Sequence, residues 1–120
     1  MKTLGVYGSL KEGCYNYERW GLNKCKRLEN YMITGAMRMI GNSYPALYKI
    51  GDAPSEYERI HDLELYEVPD WNFDLIESME INAGYYPQVI HVGPHNDVIV
   101  FLMSPEIAFK PETFIEKYPV

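Results

Sequence analysis

The chain is poor in cysteine and in positive charge and has no long apolar run, and each shortage removes a class of protein. Two cysteines, Cys14 and Cys25, are too few for the disulfide framework of a small secreted domain, so a reduced, cytoplasmic protein is expected. Lys plus Arg number 11 against 17 Asp plus Glu, a net charge of −6. No basic surface is expected to displace phosphate counterions, which argues against nucleic-acid binding. The same balance argues against adhesion to an anionic membrane. No apolar run approaches the ~20 residues that cross a bilayer. Met1-Lys2-Thr3-Leu4-Gly5 lacks the apolar segment and cleavage site of a secretory leader. Repeats, low-complexity stretches and linkers are missing too, and 120 residues suit one domain, 1–120. What the chain does have is a 47% hydrophobic share, ordinary for a packed core, and 11 tyrosines. Tyrosine fits strands and half-polar pockets, where the ring packs and the hydroxyl finds a partner.

The pattern along the chain predicts an α+β fold: a small mixed, barrel-like sheet with two or three short helices. Lys2–Tyr7 reads as a buried strand that stops at the turn pair Gly8-Ser9. A short helix is expected within Cys14–Leu22, then strands over about 25–31 and 33–40. Tyr44–Ile50 is extended, because the residue before Pro45 avoids the helical region. Gly51–Glu58 reads as a loop. Asp62–Val68 alternates, with Leu63, Leu65 and Glu67 on one side and Glu64, Tyr66 and Val68 on the other. A helix then opens with Asp70 as its expected N-cap and closes at Asn82-Ala83-Gly84. Its apolar stripe runs through Phe73, Ile76 and Met79/Glu80. Tyr85–Val92 and Asp97–Met103 form a hairpin about Gly93–Asn96, and Pro111–Tyr118 suggests one or two closing helical turns.

Two stretches carry chemistry. Tyr7-Gly8-Ser9-Leu10, after a buried strand, can present several backbone N–H groups together to a carboxylate or an oxyanion. Its glycines match neither a P-loop nor a dinucleotide fingerprint, and a plain turn is the simpler reading of the pattern alone. On the helix, Glu77 sits at the edge of the stripe, where partial burial would make a carboxylate a usable general base. Asp74 and Glu80 are equally acidic neighbours, and spacing alone does not choose among the three. Ser9 as a nucleophile would need a histidine base, and His61, His91 and His95 have no motif linking them to it. His91 and His95 flank a hairpin turn, which explains them better than a metal site does. Tyr15, Tyr17 and Trp20 suit packing or a pocket rim.

In this order the residues resemble the γ-glutamylcyclotransferase superfamily, in its AIG2-like and γ-glutamylamine cyclotransferase branch. Val6-Tyr7-Gly8-Ser9-Leu10 is similar to the signature loop, Tyr44-Pro45-Ala46-Leu47 to the Tyr-Pro segment, and Leu63–Val68 to the Gly-Glu-Val-Tyr strand. Asp74-Leu75-Ile76-Glu77 resembles the helix with the catalytic glutamate, and Gly84-Tyr85 and Val98–Ser104 resemble the strands that follow. Leu63, Pro87 and Met103 depart from the pattern, standing where Gly, Arg and Tyr are usual. The resemblance implies closure of a γ-glutamyl amine or amino acid to 5-oxoproline with release of the amine. It implies Glu77 as general acid/base and Tyr7, Gly8, Ser9, Leu10 and Tyr85 as substrate-binding residues. It implies no metal and no cofactor, and a small γ-glutamyl substrate as the partner. A non-catalytic domain on the same fold, binding a small ligand or a protein, is the alternative. Oligomeric state is not legible.

Overall fold

A computed structural model describes residues 1–41, 44–106 and 108–119. Among these residues, eight strands and two α-helices follow in the order β1 (Lys2–Val6), α1 (Asn16–Arg19), β2 (Lys26–Arg27), β3 (Tyr31–Ile40), β4 (Tyr44–Tyr48), β5 (Glu58–Val68), α2 (Asp70–Asn82), β6 (Tyr85–Val92), β7 (His95–Met103) and β8 (Phe114–Ile115). The main sheet runs β4-β3-β5-β1-β7-β6, with β2 added to β5 and β8 to β3. Among the described residues, only the β1–β7 pair is parallel. The sheet is a mixed one, curled into a half-barrel.

The central strand shows why it curls. The first half of β5 (Glu58–Leu63) pairs with β3, and its second half (Glu64–Val68) pairs with β1. Leu63 and Leu65 enter one apolar cluster with Met37, Leu47, Val98 and Val100. Tyr66 and Val68 enter another with Leu4, Val6, Phe73, Ile76 and Phe101. The alternation expected over Asp62–Val68 is therefore present, but both faces are covered. Two tyrosine hydroxyls then tie the far side of the curl to the edge strand β4. Tyr7 Oη donates to the Phe101 carbonyl (2.7 Å) and accepts from the Leu47 N–H (3.2 Å), while Tyr85 Oη donates to the Pro45 carbonyl (2.6 Å). Pro45 is tolerated because β4 ends the sheet order.

Helix α2 lies over the second cluster, where Phe73 stacks on Phe101 with ring centroids 6.1 Å apart. Asp70 is its first residue rather than its N-cap, which is Pro69 with no side-chain cap. Its carboxylate instead meets the N-terminal ammonium at 3.1 Å and faces the positive end of the helix dipole. Gly84, at φ 98°, takes the left-handed conformation that ends the helix and turns the chain into β6.

Three further expectations need correction. The strand read over 25–31 is the two-residue β2, since Leu28–Asn30 leave the sheet before β3 begins. The helix read within Cys14–Leu22 shortens to α1, four residues with no buried side chain to hold more turns. The closing helix over Pro111–Tyr118 is a single 3-10 turn at Pro111–Thr113, followed by β8. Phe114 there stacks on Tyr57 (4.1 Å) and meets Phe109, so sheet edge and aromatic packing override the local helical signal.

Candidate active site

A cavity of about 330 Å³ opens where the end of β1, the loop after it, β4, α2 and β6 converge. That volume suits a small molecule. Tyr7, Gly8, Ser9, Leu10 and Tyr85 all line it, so the structure brings together five of the six residues singled out from the sequence. Asn16, Tyr15, Tyr44, Pro45, Met79, Ala83 and Phe101 complete most of the wall.

The sixth expectation is corrected. Glu77 does not line the cavity; Glu80 does. The reason is helical period. At ~100° per residue, Glu80 falls about 20° from Phe73 and about 40° from Ile76, inside the buried stripe. Glu77 falls about 40° beyond Phe73, on the side away from Ile76. The spacing 73–76–80–83 is the signal that picks out Glu80, and Ala83 one turn on also lines the cavity. Burial among apolar side chains raises the Glu80 carboxyl from its ordinary 4.5 to about 7.

The loop opposite is built to offer donors. Its carbonyls are used internally: Gly8 O accepts from Lys11 N–H (3.0 Å), and Ser9 O accepts from Asn16 N–H (2.8 Å). Asn16 Nδ2 also donates to Ser9 Oγ (2.9 Å). The amides of Gly8, Ser9 and Leu10 find no acceptor among the described residues. Gly8 is required there by a close approach, since a Cβ on it would lie 2.8 Å from Pro45 Cγ. Among the described residues Glu80 is the one charged side chain in the wall; no Lys, Arg or His lines it. The cavity thus sets one titratable carboxylate against a cradle of amides.

The Tyr7 and Tyr85 hydroxyls are already bonded within the fold, so these residues offer ring faces and, for Tyr7, backbone. Burial pushes both phenols up and keeps them neutral. Leu63, Pro87 and Met103 do not line the cavity: Leu63 is core, and Pro87 is exposed on β6. The departures from the family pattern therefore lie outside its wall. His61 is buried elsewhere, with Nε2 3.2 Å from the Gly35 carbonyl, and His95 packs edge-on against Tyr31.

The model of the family described as gamma-glutamyl cyclotransferase, AIG2-like, matches residues 4–117. The chain belongs to this family. Among solved structures, an uncharacterized protein, PH0828, from Pyrococcus horikoshii superposes with a TM-score of 0.71 at 21% identity, covering 97% of this chain and 86% of that one. An AIG2-like protein from Mus musculus superposes at 0.60 with 15% identity, covering 98% and 88%. Kluyveromyces lactis allophanate hydrolase contains a similar unit: TM-score 0.65, 17% identity, 95% of this chain but 19% of that one. These likenesses show a shared cyclotransferase-like fold. No curated protein matches the chain.

Proposed function

We propose that the protein is a γ-glutamyl cyclotransferase that closes a small γ-glutamyl amine or amino acid to 5-oxoproline, with Glu80 as its general acid/base. The observation that carries this reading is the pairing of a buried carboxylate, raised to about 7, with free loop amides in a wall that, among the described residues, holds no other charge. A γ-glutamyl group has complementary ends. Its α-ammonium suits Glu80, and its carboxylate and γ-carbonyl suit the amides of Gly8, Ser9 and Leu10.

The chemistry follows from that placement. Glu80 takes a proton from the α-ammonium, a step that a carboxylate near 7 performs better than one near 4. The freed amine attacks the γ-carbonyl carbon of the same molecule, the loop amides hold the developing oxyanion, and a five-membered ring forms. The bond to the leaving nitrogen breaks as Glu80 returns the first proton to it and then relays a second from the ring nitrogen, which leaves a neutral lactam and an ammonium. No water is consumed, so the two products together equal the substrate. Holding the folded conformer supplies most of the acceleration, because nucleophile and electrophile share one molecule. Glu80 takes the part that the family resemblance gave to Glu77. The free thiols Cys14 and Cys25 suit a reducing compartment, and we place the protein in the cytoplasm.

Incubation with γ-glutamyl-ε-lysine, γ-glutamyl-alanine and glutathione, followed by mass spectrometry for 5-oxoproline, tests this. The expected result is 5-oxoproline from at least one compound and none from Glu80→Gln. Free glutamate instead of 5-oxoproline would mean hydrolysis. No product from folded protein, with ligand binding retained, would favour the non-catalytic alternative.

A further inference from the structure

The loop that offers its amides to the cavity is short and exposed over part of its length, yet it is held at both ends by one residue outside the cavity wall. Val6, where β1 stops, lies directly across the ladder from Glu64. The chain then leaves the sheet, turns through Gly8–Lys11 and returns, and the Glu12 N–H donates to Glu64 Oε1 at 2.9 Å. Tyr66 Oη donates to the same oxygen at 2.9 Å. Arg27 lies 3.5 Å from Glu64 Oε2 and also pairs with the Glu12 carboxylate. Glu64 is only 7% exposed. A carboxylate is expensive to bury unless its oxygens are satisfied. Here two donors and a guanidinium do so, and one donor belongs to the loop.

We infer that Glu64 is a positioning residue: its carboxylate clasps the return end of the Gly8–Glu12 loop to β5 and so fixes where the loop amides point. Its catalytic consequence rests on the reading of the cavity given above; its mechanical one does not. Without the clasp the turn is free to swing about Tyr7 and to open its own hydrogen bonds. Misplacing a cradle by about 1 Å costs on the order of 100-fold in rate.

The test compares Glu64→Ala with Glu64→Gln, whose side-chain oxygen can still accept from Glu12 and Tyr66. Hydrogen exchange reads the amides of Lys11, Glu12, Cys14 and Asn16, all bonded within or to the loop. Glu64→Ala is expected to speed their exchange by at least about tenfold while β1 and β5 stay protected. It should raise KM and lower kcat/KM about 100-fold, leaving the pH profile set by Glu80 in place. Glu64→Gln should keep the protection and stay within about threefold of wild type, the rescue expected when an acceptor rather than a charge holds the loop. Where Glu64→Ala does not fold, Glu64→Leu keeps the buried volume and removes both acceptors. Unchanged exchange at these four amides in a folded variant would overturn the clasp, and so would loosened amides with wild-type kcat/KM. If wild type yields no 5-oxoproline from any compound, exchange alone decides the clasp, and the catalytic consequence falls together with the cyclase reading.

Discussion

Replacing Glu80 with glutamine should make the protein more stable at alkaline pH while removing its activity. The magnitude follows from burial. The Glu80 carboxyl is raised from 4.5 to about 7, so the folded state binds its proton more tightly than the unfolded state does. That contribution to stability is complete below about pH 4.5 and is lost as pH rises through about 7. At about 1.4 kcal/mol per pH unit, the gap amounts to about 3 kcal/mol, of which 2–3 should be measurable. Glutamine has no charge to bury. The variant should match wild type within about 1 kcal/mol near pH 5 and exceed it by about 2–3 kcal/mol near pH 8. His61, which burial lowers, works with the opposite sign below about pH 6.5. It titrates in both proteins and cancels from the difference. Denaturant unfolding at both pH values provides the assay. A stability difference that does not change between them, or a variant less stable at pH 8, would refute a buried, raised carboxylate at this position.

Other perturbations separate the site from its frame. Glu77→Gln should keep turnover within about threefold, since this side chain does not line the cavity; a loss matching that of Glu80→Gln would return the role to Glu77. Gly8→Ala should lower kcat/KM at least about tenfold, because its Cβ would meet Pro45 Cγ at 2.8 Å and push the loop from β4; unchanged kinetics would mean the loop has slack. Ile76→Ala, at a fully buried position, should cost about 2–5 kcal/mol in denaturant unfolding. Tyr85→Phe removes the donor to the Pro45 carbonyl and should cost about 1–3 kcal/mol, because a buried acceptor is left unpaired.

The strands with clear boundaries were legible in the sequence. Tyr85–Val92 has its predicted limits, because Gly84 and Gly93, both at positive φ, punctuate it. The loop residues Tyr7–Leu10 were singled out by the family resemblance, since the pattern alone reads more simply as a plain turn. The carboxylate was harder. Glu77 matched the family's helix by local likeness, while Glu80 satisfied the helical period with Phe73 and Ile76. Period reports which side chain faces inward, and here it was the better guide. Asn16 gave no warning, since it reaches the cavity through the curl of the sheet. That curl depends on hydroxyl bonds from Tyr7 and Tyr85 to strands 40 or more positions away, which no local window contains. The closing segment misled for the same reason, because Phe114 is held by Tyr57 and Phe109 and not by its neighbours in sequence.

The pH dependence of kcat/KM for release of 5-oxoproline tests the role of Glu80 most directly, because it reports the ionisation of the free enzyme. The acid limb should fall with a midpoint of about 7, and Glu80→Gln should show no rate at any pH. An acid limb near the ordinary 4.5 of a glutamate, or a Glu80→Gln variant that keeps the wild-type rate, would contradict it.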